Sequence, residues 1–141
     1  MILLLLFIYL TQASSFKLST DNTVLIVEEN IQFNIDNVYE WSLYGQIIES
    51  IEFSDAVTKI SEASFSNFVN LKQVTIGNNV EIIESKAFSN CKNLEEIKFN
   101  DNSKLEEIGV GVFHNNEKIK EITLPINLKR IENRAFEGMK N

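Results

Sequence analysis

Leu71–Asn93 reads LKQVTIGNNVEIIESKAFSNCKN, with apolar residues at Leu71, Val74, Ile76, Val80, Ile83, Ala87 and Phe88. The same pattern returns as LEEIKFNDNSKLEEIGVGVFHNNEK from Leu94 and IKEITLPINLKRIENRAFEGMKN from Ile119, and stands earlier as IESIEFSDAVTKISEASFSNFVN from Ile48. Four consecutive copies, 48–70, 71–93, 94–118 and 119–141, repeat with a period of about 23 residues, which places the chain among repeat solenoids. In such arrays each copy buries its apolar face only by stacking on its neighbours.

Within a copy, the opening segment is apolar at relative positions 1, 4 and 6: Ile48, Ile51, Phe53; Leu71, Val74, Ile76; Leu94, Ile97, Phe99; Ile119, Ile122, Leu124. Positions 4 and 6 share one face of a strand, and strands stacked about 4.8 Å apart build a parallel sheet with columns of inward side chains. A second apolar pair follows at Val57 and Ile60, Val80 and Ile83, Leu105 and Ile108, Leu128 and Ile131. Between the two pairs, Ser54-Asp55-Ala56, Gly77-Asn78-Asn79, Asn100 to Lys104 and Pro125-Ile126-Asn127 carry the residue types that turns require. The third copy is two residues longer at this turn, which predicts a bulge at the edge of the solenoid.

Each copy then runs to Ser64-Phe65, Ala87-Phe88, Val112-Phe113 or Ala135-Phe136. Ser61, Ser85 and Asn133 are candidate N-caps of a helix of one or two turns. Asn67, Asn90, Asn115 and Gly138, two residues past each Phe, are the types that enter the left-handed region most readily and would end it. The expected fold is therefore an α/β repeat solenoid, a parallel sheet on one face and short helices on the other.

Ahead of the copies, Met1–Leu10 is MILLLLFIYL, too short to span a bilayer and followed by small polar residues. This is a signal-peptide pattern, with cleavage expected after Ala13 or Ser15, so that 1–15 is removed. Residues 16–47 do not show the repeat. Val24–Val27 is rich in β-branched residues, Ile31, Phe33 and Ile35 alternate with polar residues, and Val38, Tyr39, Trp41, Leu43 and Tyr44 form an aromatic cluster. This stretch reads as an N-terminal cap or as a degenerate fifth repeat.

The 141 residues carry a formal net charge of −7. Nucleic-acid binding is thereby disfavoured, because it needs clustered Lys and Arg to displace counterions. Cys91 is the single cysteine, so no intrachain disulfide can form and stacking must supply the stability. No Asn-x-Ser/Thr sequon is present, and no second apolar run approaches the length of a membrane span.

The motif I/L-x-x-I-x-L/F, a turn, V/L-x-x-I-x-x-x-A-F-x-N/G-C-x-N-L resembles the BspA-like leucine-rich repeat across Ile48–Asn141, about two thirds of the chain. The resemblance implies a secreted or surface-displayed protein that microbes and protozoa of mucosal habitats use for adhesion or ligand binding. It implies no catalytic residues and no cofactor.

Candidate chemistry is sparse. A Cys91–His114 pair on adjacent turns lacks a third orienting group, and Cys91 shares its column with Phe68, Asn116 and Met139, which points to packing. Asn100-Asp101-Asn102 lacks the Gly and the distant Glu of a calcium loop. The free positions are polar residues on the opening strands. Glu49, Lys72, Glu95 and Lys120 form a column of alternating charge, and Ser50, Gln73, Glu96, Glu121 and Glu52, Thr75, Lys98, Thr123 form two further columns. Ser50, Glu52, Lys72, Gln73, Thr75, Glu96, Lys98, Glu121 and Thr123 are the candidate contact residues for a protein or host-surface ligand. As an alternative, the last copy would present Ile119, Ile122, Leu124, Leu128, Ile131 and Phe136 edge-on to water, so that the chain is truncated or stacks through this end on itself or on another repeat protein.

Overall fold

Two apolar pairs per copy make two sheets. The computed structural model describes residues 16–21, 23–29 and 45–139; the leader, the alternating run at Ile31–Ile35 and the aromatic cluster at Val38–Tyr44 fall outside these residues. The strands are β1 (Phe16–Leu18), β2 (Val24–Val27), β3 (Ser50–Phe53), β4 (Lys59–Ile60), β5 (Gln73–Ile76), β6 (Ile82–Ile83), β7 (Glu96–Phe99), β8 (Glu107–Ile108) and β9 (Arg130–Ile131). One sheet has the order β1-β2-β3-β5-β7 and the second the order β4-β6-β8-β9. All pairings are parallel except β1 with β2, so the first sheet begins with an antiparallel strand laid along the outer side of β2.

Period-two burial fixes the register. Ile51 pairs with Val74 and Val74 with Ile97, all buried, and Leu25 joins the same row by pairing with Ile51. The offset between rungs is 23 residues from β5 to β7 but 25 from β6 to β8, so the extra pair of residues is confined to the corner at 100–104. That is the bulge the sequence predicts. Gly77 serves this corner in the copy below: a Cβ there would stand 2.5 Å from the Ser54 carbonyl oxygen and 2.6 Å from that of Phe53.

No helix occurs among the described residues, and the expected short helices are replaced by turns. The cause is a pair of left-handed residues four apart in every copy: Ala63 and Asn67, Lys86 and Asn90, Gly111 and Asn115, Arg134 and Gly138, with φ between 52° and 84°. A helix needs negative φ at every position, so the candidate caps Ser61, Ser85 and Asn133 cap none. The Asn and Gly positions are left-handed as their residue types predict, yet they end turns rather than helices.

The amides that a helix would use internally reach the next copy instead. Phe65 N–H donates to the Ala87 carbonyl at 2.8 Å, Phe88 to Val112 at 3.0 Å and Phe113 to Ala135 at 2.8 Å, with matching bonds two residues before and after each Phe. The convex side is thus a third hydrogen-bonded ladder. Behind it Phe65, Phe88, Phe113 and Phe136 form a stacked column with centroids 5.4, 5.8 and 5.7 Å apart.

The final copy closes only in part. Residues 119–124 form no strand although they carry the opening pattern, and among the described residues no backbone bond joins 120–124 to β7. In the copies below, the Lys72 amide donates to the Glu49 carbonyl at 2.7 Å and the Glu95 amide to that of Lys72 at 2.9 Å. The stack resumes where the Asn127 side-chain amide donates to the Ser103 carbonyl and β9 pairs with β8. At this end Ile119 is buried, Ile122, Leu128 and Phe136 are half-buried, and Leu124, Ile126 and Ile131 are exposed, so only part of the expected apolar edge faces water.

Candidate functional site

Because successive strand residues point to opposite faces, burying Ile51, Phe53, Val74, Ile76 and Ile97 turns their neighbours outward. The register sets Ser50, Gln73 and Glu96 in one row and Glu52, Thr75 and Lys98 in the next. These six are brought together on one sheet face. Lys98 Nζ lies 3.2 Å from a Glu96 carboxylate oxygen, and among the described residues Glu52 has no ion pair. Glu121 and Thr123 do not join the rows, since their segment is not a strand.

The column of alternating charge forms at one step only. Lys72 donates to Glu49 at 2.8 Å. Glu95 is met by Lys118 at 3.6 Å rather than by Lys120, because residues 120–124 stand away from β7. A physical reason lies in the neighbouring row: closing the last rung in register would put Glu121 directly against Glu96, and like charges opposite one another destabilise a sheet.

Cys91 and His114 make no catalytic pair. The Cys91 thiol is fully buried, donates to the Phe65 carbonyl at 3.2 Å, and is pushed by burial up to about 12, so it holds no thiolate at neutral pH. His114 turns the other way, its Nε2 3.8 Å from Glu137. The Glu137 carboxyl is held below its ordinary value chiefly by its hydrogen bonds from Arg134. In the column of Cys91, Asn116 is buried and donates to the Phe88 carbonyl at 2.9 Å. Thiol and amide thus do one job, satisfying the carbonyl of a stacked Phe in the copy below. No cluster of potential metal ligands occurs among the described residues, those at 100–102 included.

The second sheet carries a charged edge that the repeat pattern does not announce. Arg130 bonds Glu107 across the β8–β9 pair and lies 3.2 Å from Glu132; Lys129 donates to Glu106 at 2.7 Å; Lys59 lies 3.1 Å from Glu84. The signal was the second apolar pair itself, since a residue ahead of Ile60, Ile83, Ile108 or Ile131 must face out if that Ile faces in. Most charges here are matched across copies, whereas on the first sheet Ser50, Gln73 and Thr75 are uncharged and Glu52 has no ion pair among the described residues.

Among solved structures, a leucine-rich repeat protein from Eubacterium ventriosum is 21% identical with a TM-score of 0.53, over 85% of this chain and 42% of that one. A leucine-rich cell surface protein from Faecalibacterium prausnitzii is 21% identical with a TM-score of 0.51, over 91% of this chain and 46% of that one. The T. pallidum leucine-rich repeat protein is 19% identical with a TM-score of 0.49, over 86% of this chain and 63% of that one. The chain therefore spans less than two thirds of each of these proteins, and its likeness to the first two is one of fold. No curated protein matches the chain. The model of the BspA type leucine-rich repeat region matches residues 12–141 with six copies, two more than the motif count from Ile48 onward. With the repeat, the parallel pairing of successive copies in both sheets and this match in agreement, the chain belongs to the BspA-type leucine-rich repeat family.

Proposed function

We propose that the chain is a secreted or surface-displayed binding module that recognises a protein or host-surface ligand through the outer face of β3, β5 and β7, in adhesion rather than catalysis. The observation that carries this reading is the pair of outward rows, Ser50–Gln73–Glu96 and Glu52–Thr75–Lys98, on strands whose inward Ile51, Phe53, Val74, Ile76 and Ile97 are buried. Side chains held in register by a rigid sheet bind with little ordering cost. In this reading 1–15 is a cleaved leader, and the β1–β2 hairpin acts as a cap, with β1 covering the outer edge of β2.

The test is the double variant Glu52→Lys with Thr75→Glu, whose charges alternate in sign with Lys98 along the row. Binding to host cells or matrix protein falls about tenfold or more, while stability moves by less than about 0.5 kcal/mol, as is usual for exposed sites. Unchanged binding removes this face from consideration.

A second reading is favoured by Leu124, Ile126 and Ile131, which expose apolar surface at the last copy, Ile126 at 94%. In it the chain is a scaffold element that stacks through this end on another repeat protein. Sedimentation separates the two: a concentration-independent monomer that still binds cells supports the face, and association lost on Ile131→Lys supports the end.

A further inference from the structure

Between β7 and residues 120–123 the sheet opens into a cleft of about 1250 Å³. Ile97, Phe99 and Ile122 line it together with Glu96, Lys98 and Glu121. Phe99 is half-buried here, whereas Phe53 and Ile76 at the same position of lower rungs are buried, so the cleft leaves apolar surface uncovered where the repeat would cover it.

We propose that this cleft takes one extended segment of a protein partner as an added strand between β7 and residues 120–124, apolar where it faces Ile97 and Ile122, and with a Lys or Arg between Glu96 and Glu121. Both walls are polypeptide, and β7 is the last strand of its sheet, so its outer edge has backbone groups free to pair. Strand addition takes its affinity from such main-chain bonds and its specificity from alternate side chains.

The charge pattern selects the sequence. Carried up by one rung, the register aligns Glu96 with Glu121 and Ile97 with Ile122, so an inserted strand has a carboxylate on each side of one outward position. Glu121 has no ion pair among the described residues, and Glu96 has only Lys98, two residues along its own strand, which the incoming cation would displace. Lys118 and Lys120 stand at the mouth, Lys118 already engaged by Glu95 at 3.6 Å.

The geometry also limits the partner. Since the cleft is walled on both sides, an entering strand must be free along both edges, as a flexible tail or loop is. Among the described residues the strands of a second copy are already paired within their own sheets, and the edge strands β1, β7, β4 and β9 are each free along one edge only.

The probe is a labelled peptide of alternating Val and Thr with one central Lys, titrated against the chain by fluorescence anisotropy. It binds at least tenfold more tightly than the same peptide with a central Glu, because one form places opposite charges and the other like charges across two strands. Glu121→Gln weakens the Lys peptide about threefold and leaves a peptide with central Thr unchanged. On binding, amide exchange slows at 97–99 and 120–124 together.

Three results overturn the proposal. Equal binding of the Lys and Glu peptides removes the charge selection. Slow exchange at 120–124 in the free chain shows that this segment pairs with β7 by itself. Loss of peptide binding in Glu52→Lys/Thr75→Glu but not in Glu121→Gln moves the peptide to the sheet face, so the failure of this site and of the face are told apart.

Discussion

Residues 71–76 and 119–124 carry the same apolar pattern, LKQVTI and IKEITL, yet the first contains β5, paired on both sides, and the second stands off the sheet. The difference shows how little of a rung's conformation is its own. Leu71, Val74 and Ile76 lie between two other copies and are fully buried. Among the described residues Ile122 and Leu124 meet only the copy below, which offers Glu96 where Glu121 would land. A rung with two inward side chains is weakened by a like-charge contact that a fully packed rung would outweigh.

The largest expected effect tests whether packing follows the same gradient. Phe88 lies between Phe65 and Phe113 and is fully buried, so Phe88→Ala should cost about 3–5 kcal/mol. Phe136 stacks on one side only and is half-buried, so Phe136→Ala should cost about 1–2 kcal/mol. Equal losses in urea unfolding would mean that the last copy is as tightly built as the middle ones.

A smaller effect of opposite sign is expected on the convex side. Lys86 is exposed at φ 59°, where a side chain other than Gly is strained by about 1–2 kcal/mol. Lys86→Gly should therefore raise stability by up to about 1 kcal/mol, once the greater freedom of Gly in the unfolded chain is offset. A loss would show that the Lys86 turn is not held left-handed.

The smallest effect bears on the contrast most directly. Glu121→Lys replaces the like-charge contact with an attractive one, worth about 0.2–1 kcal/mol. Amide exchange at 120–124 should slow while the rest of the stack is unaffected. Unchanged exchange would shift the cause of the opening from charge to packing.

The period, the inward columns and the corner turns were legible because burial repeats with the backbone's own periodicity. The left-handed Asn positions were legible because few residue types tolerate that region. The absence of helix was not: Ala63, Lys86 and Arg134 carry no such mark, and the amides of Ala63 and Lys86 bond to the next copy, which local propensity does not encode. The six outward residues of the candidate face followed from alternation alone, and Glu121 and Thr123 were misplaced because the pattern records what a segment could pair with, not whether the pairing is electrostatically acceptable.

The corner at 100–104 behaves as an expansion joint. It takes in two extra residues while the rows on either side keep their partners, and even there the Lys104 amide still reaches the Asn78 carbonyl. A foreign loop grafted at Asp101 and Asn102, both exposed, would leave both sheets and the convex ladder in phase. The same length change inserted at 85–90 would put every later copy out of step with the one below.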